Sequence, residues 1–272
     1  MMTGRWPGTE AFPCDLIFDA NNKKAVFFDM DGTLLPMDTD LLVELYLNGV
    51  SDYTADIFPP HRVREIMAAA RAGMYDFDGK TTNDIRSIKG IYAEAGDKAG
   101  LFVERVLEFY DKGFDNIGKY ASKSREMREA VDIIKDKGYR IVVVSNPVFP
   151  LKVQKARLIW AGFSPDEFEF ITGNENMRYC KPDLRYYQEA LDITGLSAHE
   201  CFMVGNDVQD DMVTIDMGFS AFYIKEYAIN RTGIEPDCPS GDYDDFLRWA
   251  KELEDISEVF DVRRCGAGQS GA

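Results

Sequence analysis

Five short apolar runs punctuate the chain: KKAVFF (23–28), YRIVVVS (139–145), FEFIT (168–172), CFMVG (201–205) and SAFYI (220–224). A short apolar or aromatic run with turn residues behind it reads as a buried strand. Helical patterns separate them. SREMREAVDIIKDKG (124–138) sets Met127, Ala130, Val131 and Ile134 at helical spacing and stops at Gly138. LKVQKARLIWAG (151–162), PDLRYYQEALDITG (182–195) and VQDDMVTIDMG (208–218) also close on glycine, a common helix stop. Strand–helix alternation of this kind builds βαβ units, so the expected class is α/β with a mostly parallel sheet.

One stretch breaks the rhythm. Residues 36–121 carry four helical patterns and no convincing strand: TDLLVELYLNG, HRVREIMAAARAG, TNDIRSIKGIYAEAG and KAGLFVERVLEFYDKG. A connection that long is no ordinary loop, and it predicts an all-helical insertion between the first and second strands. The expected organisation is an irregular extension (1–21), a core domain (22–35 and 122–260), a helical domain (36–121) and a disordered tail (261–272).

The chain has 272 residues, with 31 Lys and Arg against 47 Asp and Glu, a formal charge of −16. That balance argues against nucleic acid or an anionic membrane as a partner. It leaves room for a small anionic substrate, because a local cation outweighs a distant field. The five cysteines are odd in number, scattered and without a C-x-x-C pair. They read as free thiols of a reducing, cytoplasmic compartment. No run reaches the length of a membrane span, and the N-terminal residues lack the pattern of a signal peptide. His61 and His199 are isolated and read as structural or surface residues.

In open α/β sheets, ligands bind beyond the carboxyl ends of the strands. Four of the five runs end in, or lead to, chemistry. The first ends in Asp29-Met30-Asp31-Gly32-Thr33, the second in Ser145-Asn146. The third leads to Lys181 before Pro182, and the fourth ends in Gly205-Asn206-Asp207 with Asp210 and Asp211 behind. So many carboxylates at one edge repel unless a cation relieves them. A hard divalent cation such as Mg²⁺ takes oxygen ligands and keeps waters for a phosphate. An aspartate can be a nucleophile toward phosphorus, and a second carboxylate can act as acid and then base. Singly, each motif has a plainer explanation. An Asp-Gly turn, a capping serine and a solvated lysine are all common. DGKTT (78–82) imitates a phosphate loop, but its glycine spacing is one residue too long and acidic residues precede it.

The ordered set resembles the haloacid dehalogenase (HAD) superfamily: D-x-D-G-T at Asp29–Thr33, a serine ending the second strand at Ser145, Lys181, and an acidic stretch at GNDVQDD. The resemblance covers roughly 22–35 and 122–260. The helical insertion is similar to that family's type C1 cap. What it implies is a Rossmann-like core and a Mg²⁺-dependent phosphatase that hydrolyses a small phosphomonoester through an aspartyl-phosphate. A phosphomutase, or a non-catalytic binding protein on the same fold, are the alternatives. Asp29 would be nucleophile and metal ligand, and Asp31 acid/base and metal ligand through its carbonyl. Ser145 and Lys181 would complete the catalytic set. Thr33, Asn146 and the cap residues Lys80, Thr82 and Arg86 would touch a small phosphorylated metabolite. The usual Asp after the glycine of the fourth motif is Asn206 here. Either Asn206 or Asp207 would ligate Mg²⁺, with Asp211 as the later acid.

Overall fold

The structure is a computed structural model and describes residues 22–257; the expected N-terminal extension, the tail and the last residues of the expected core lie outside that range. Six parallel strands form one sheet in the order β3-β2-β1-β4-β5-β6. They are β1 (Ala25–Phe28), β2 (Arg140–Val143), β3 (Phe170–Ile171), β4 (Cys201–Gly205), β5 (Ser220–Ile224) and β6 (Ser240–Gly241). The first five fall within the five apolar runs. The two-residue β6, at the edge, had no hydrophobic run to mark it.

Side chains alternate across β1. Val26 and Phe28 join an apolar layer with Ile141, Val143, Val204 and Phe222. That layer is covered by α5 (Arg125–Asp136), α6 (Leu151–Ala161) and α8 (Tyr243–Glu252). Ala25 and Phe27 face the opposite way, onto Tyr186, Tyr187, Ala190 and Leu191 of α7 (Leu184–Thr194). Both faces being covered explains why the strands read as continuous apolar runs rather than alternating ones. Burying a side chain such as Phe28 there stabilises the fold by about 1.5–3 kcal/mol. Residues 208–218 were expected to be one helix. Only Met212–Met217 is helical, as a 3₁₀ segment; ahead of it the Asp207 carboxylate accepts from the Gln209 and Asp210 N–H groups.

Between β1 and α5 lie four helices: α1 (Thr39–Tyr53), α2 (Pro60–Tyr75), α3 (Asn83–Ala95) and α4 (Ala99–Lys112), then a 3₁₀ segment, Phe114–Tyr120. Capping follows local chemistry: Asp38 accepts from the Leu41 N–H at the start of α1, and Ser124 from Met127 at the start of α5. The chain enters and leaves this region side by side, for the Ser122 N–H donates to the Pro36 carbonyl at 3.3 Å. The apolar layer over β1 runs on into the helices through Leu34, Leu35 and Met37 to Leu42 and Tyr46. Tyr46 packs edge-on against Phe149, with ring centroids 5.0 Å apart.

Helices α2 and α3 approach closely where glycines face backbone. A Cβ on Gly90 would overlap the Ala69 carbonyl, and one on Gly73 would overlap that of Arg86. Gly90→Leu gains helix propensity of about 0.8–1 kcal/mol, but it meets backbone that cannot swing away, a cost of about 1–3 kcal/mol. The overlap is expected to win. Urea unfolding of Gly90→Leu should show a lower midpoint than the parent; an equal or higher midpoint would mean the helices part without cost.

Candidate active site

The sheet delivers its chemistry at the carboxyl ends of β1, β2 and β4. The end of β1 is pinned on both sides: the Asp29 N–H donates to the Val204 carbonyl at 2.9 Å, and the Val144 N–H to the Phe28 carbonyl at 2.8 Å. The chain then turns back. Thr33 and Leu35 both donate to the Met30 carbonyl. Gly32 sits at φ +80°, and any Cβ there would overlap the Asn206 side chain, so the turn needs glycine twice over. Against it, Asn206 accepts from the Thr33 hydroxyl at 3.2 Å and donates to the Tyr227 carbonyl at 2.7 Å.

Lys181 lies at the centre, 2 % exposed. Its ammonium donates to Asp29 Oδ1 and Asp211 Oδ1, each at 2.6 Å. Asp211 Oδ2 in turn accepts from the Asp207 N–H at 3.0 Å. One ammonium thus serves two buried carboxylates. Burial pushes the Asp29 carboxyl up from its ordinary value, against the pull of Lys181. Burial likewise raises Asp211, to about 8, with Lys181 opposing and the nearby Asp29 charge adding to the rise. Burial works against the Lys181 charge, but Asp211 and Asp29 together hold its ammonium well above the usual lysine value. The lysine stays charged, and the carboxylates, not the ammonium, are the groups whose charge burial disfavours most.

Asp31 and Ser145 meet on a residue that sequence reasoning missed. Arg157 of α6, 1 % exposed, pairs with Asp31 Oδ2 and reaches Ser145 Oγ at 3.4 Å. The signal was available. Arg157 shares the buried face of α6 with Val153, Leu158 and Ala161, and a charge at an apolar helix position needs a partner. The Ser145 carbonyl is anchored by the Tyr186 hydroxyl and Thr172 Oγ1, both at 2.7 Å. Asn146 donates to the Tyr75 hydroxyl of α2 at 3.0 Å.

Other expected site residues are placed differently. Asp207 is not free to swing toward Asp29: both its oxygens are held by Arg231, at 2.7 and 2.8 Å. Arg86, expected to touch substrate, is buried and donates to the carbonyls of Gly73, Met74, Thr81 and Arg178 and to Asn83 Oδ1. Its donors are consumed in tying the 76–82 turn to the core. Beside it, the Asn83 and Asp84 N–H groups donate to the Met177 and Asn174 carbonyls, each at 2.9 Å. Thr82 Oγ1 donates to Asp84, and Lys80 is exposed on the turn.

A divalent cation can be tested against these donors. Among the described residues, no three His, Cys, Asp or Glu side chains gather to enclose a metal. Mg²⁺ does not need that; it binds through one or two carboxylates and keeps positions for water and phosphate. The Asp29 carboxylate, the Asp31 carbonyl and Asn206 Oδ1 are hard oxygen donors from adjoining strand ends. Asp31 Oδ1 is buried without a partner and is not among these donors. The donor set fits Mg²⁺. Asp207 and Asp211 are otherwise engaged.

With this fold and site in view, the match to known proteins is direct. The model of the haloacid dehalogenase-like hydrolases matches residues 23–214, and the chain belongs to that family. Among curated proteins it is 25% identical over 219 residues to a phosphoglycolate phosphatase of Mesorhizobium japonicum, covering 76% of this chain and 88% of that one. It is 25% identical over 203 residues to a glyceraldehyde 3-phosphate phosphatase of Methanothermobacter thermautotrophicus, covering 74% and 85%. Among solved structures, a predicted phosphoglycolate phosphatase from Haemophilus somnus aligns with a TM-score of 0.55 at 20% identity, over 84% of this chain and 98% of that one. The last likeness is one of fold. Among the described residues, no helix is long and apolar enough to cross a membrane.

The shared lysine sets a pH dependence. Between the ordinary aspartate value of 3.8 and about 8, folded Asp211 holds a proton that the unfolded chain has released. The folded state binds more protons there, so stability falls as pH rises, by at most about 1.4 kcal/mol per pH unit for one such group. Asp29→Asn removes the competing carboxylate and leaves Lys181 to Asp211 alone. Thermal melts in chelator from pH 5 to 8 should show a shallower fall for Asp29→Asn and a higher melting temperature at pH 8. Parallel curves for the two proteins would refute the shared-charge account.

Proposed function

We propose that the chain is a Mg²⁺-dependent phosphatase of small phosphomonoesters, acting through an aspartyl-phosphate on Asp29. The observation that carries this reading is the convergence of Asp29, Asp31, Ser145 and Lys181 from three separate segments, the end of β1, the end of β2 and the loop before α7. In each contact, Lys181 or Arg157 joins a carboxylate or a hydroxyl. The two curated relatives, named for phosphoglycolate and for glyceraldehyde 3-phosphate, support a leaving group of two or three carbons.

In the first step an Asp29 oxygen attacks phosphorus. The bond from phosphorus to the ester oxygen breaks, and Asp31 gives its proton to that oxygen. In the second step water attacks the same phosphorus, Asp31 takes a proton from it, and the bond to Asp29 breaks. Asp29 is again a carboxylate, Asp31 again carries its proton, and inorganic phosphate leaves. Lys181 and the Ser145 hydroxyl are assigned to the phosphoryl oxygens, because positioned charge is what phosphoryl transfer chiefly needs. Mg²⁺, held by Asp29, the Asp31 carbonyl and Asn206, would supply the positive charge that draws the phosphate in. Asn206 is preferred over Asp207 because Arg231 holds the latter.

The helices between 39 and 112 are assigned as a type C1 cap that shields the site from bulk water, a common task of mobile lids. The hinge is placed at the Pro36–Ser122 neck. Lys80 and Thr82 would read the leaving group, while Arg86 would hold their turn in place.

Phosphate release from p-nitrophenyl phosphate is expected with Mg²⁺ and not in excess chelator. Asp29→Asn should lower turnover by about three orders of magnitude or more while its circular dichroism stays that of the parent. Near-normal turnover in that variant would remove Asp29 as nucleophile. Full activity after confirmed metal removal would remove Mg²⁺.

A further inference from the structure

A guanidinium on the buried face of a helix is expensive unless every contact is well made. Arg157 is held from four sides, while its Nε is buried without a partner. One Nη pairs with Asp31 Oδ2; the other donates to Gln154 Oε1 and approaches Ser145 Oγ. The guanidinium also lies over the Phe149 ring, 5.0 Å from its centre. Gln154 Nε2 reaches back to the Asn146 carbonyl at 3.5 Å, so the support comes from the end of β2 and the helix after it. The two oxygens of Asp31 are treated unequally. Oδ2 is held by Arg157, while Oδ1 is buried and has no partner.

We propose that Arg157 is the positioning residue of the acid/base: it clamps Asp31 through Oδ2 so that Oδ1 is the atom that hands the proton to the leaving oxygen and later takes one from water. The proposal rests on the phosphatase reading above and adds to it a residue that acts through Asp31. A carboxylate without the clamp can turn about its side-chain bonds into other staggered positions. Misplacement of about 1 Å in a reacting group costs about a hundredfold. Arginine suits the task better than lysine, because its planar fork fixes a direction as well as a charge.

The clamp has a specific signature. An alkoxide leaving group needs the proton from Asp31; a nitrophenolate leaves without it. Arg157→Lys keeps the charge and loses the fork. With Mg²⁺ present, its kcat should fall about tenfold or more on glycerol 2-phosphate and less than about threefold on p-nitrophenyl phosphate, with KM near that of the parent for both. In an Asp31→Asn background, Arg157→Lys should add no further loss. Phe149→Leu, which removes the ring under the guanidinium and leaves the ion pair, should show the same alkyl-selective loss at smaller size. It gives the same reading even where Arg157→Lys folds poorly. Equal losses on the two esters, or a further loss in the Asp31→Asn background, would overturn the positioning role while leaving the phosphatase reading intact. A parent protein that frees phosphate from neither ester would overturn both.

Discussion

The interaction on which the rest depends is the ammonium of Lys181 lodged between Asp29 and Asp211. Three segments distant in sequence must meet for it to form: the end of β1, the loop before α7 and the loop after β4. Without the lysine, two carboxylates would face each other in a dry interior, which proteins avoid by protonation or by rearrangement. With it, the cluster holds together, and burial raises the proton affinity of both carboxylates. The cluster is therefore weak evidence for stability.

Much around this cluster serves to keep it still. Val204 and Val144 pin the β1 end by backbone hydrogen bonds. Tyr186 and Thr172 anchor Ser145, and the Tyr187 hydroxyl holds the Asp210 carbonyl at 2.5 Å. These tyrosines of α7 also pack the apolar layer under β1. One helix thus fills the core with its rings and trims the site with its hydroxyls.

The parts legible in the sequence were those with a local signature. β4 and β5 match their apolar runs residue for residue, because burial on both faces leaves no polar interruption. Asp29, Asp31, Ser145 and Lys181 were singled out because each follows a strand or precedes the proline just ahead of α7. What escaped was decided across long distances. The roles of Asn206 and Asp207 hang on Arg231, some twenty-five residues on, whose guanidinium takes both Asp207 oxygens. Arg86 looked like a cation facing a ligand, but nearby carbonyls had already claimed it. Arg157 was not singled out, though it shares the buried face of its helix with Val153, Leu158 and Ala161. α8 follows a stretch of glycine, proline and acidic residues and gives little warning of its amphipathic turn.

The neck at Pro36 and Ser122 has a consequence for how such a chain can change over generations. To the sheet, everything from α1 to the end of the 3₁₀ segment is a single loop whose two ends are tied together. The entropy of closing a loop grows only with the logarithm of its length, about 0.6 kcal/mol for each doubling. The closure term alone therefore changes little with how many helices hang from that knot. Whole helices can be gained, lost or exchanged there as a cassette, while the strands that carry Asp29 and Lys181 stay in register.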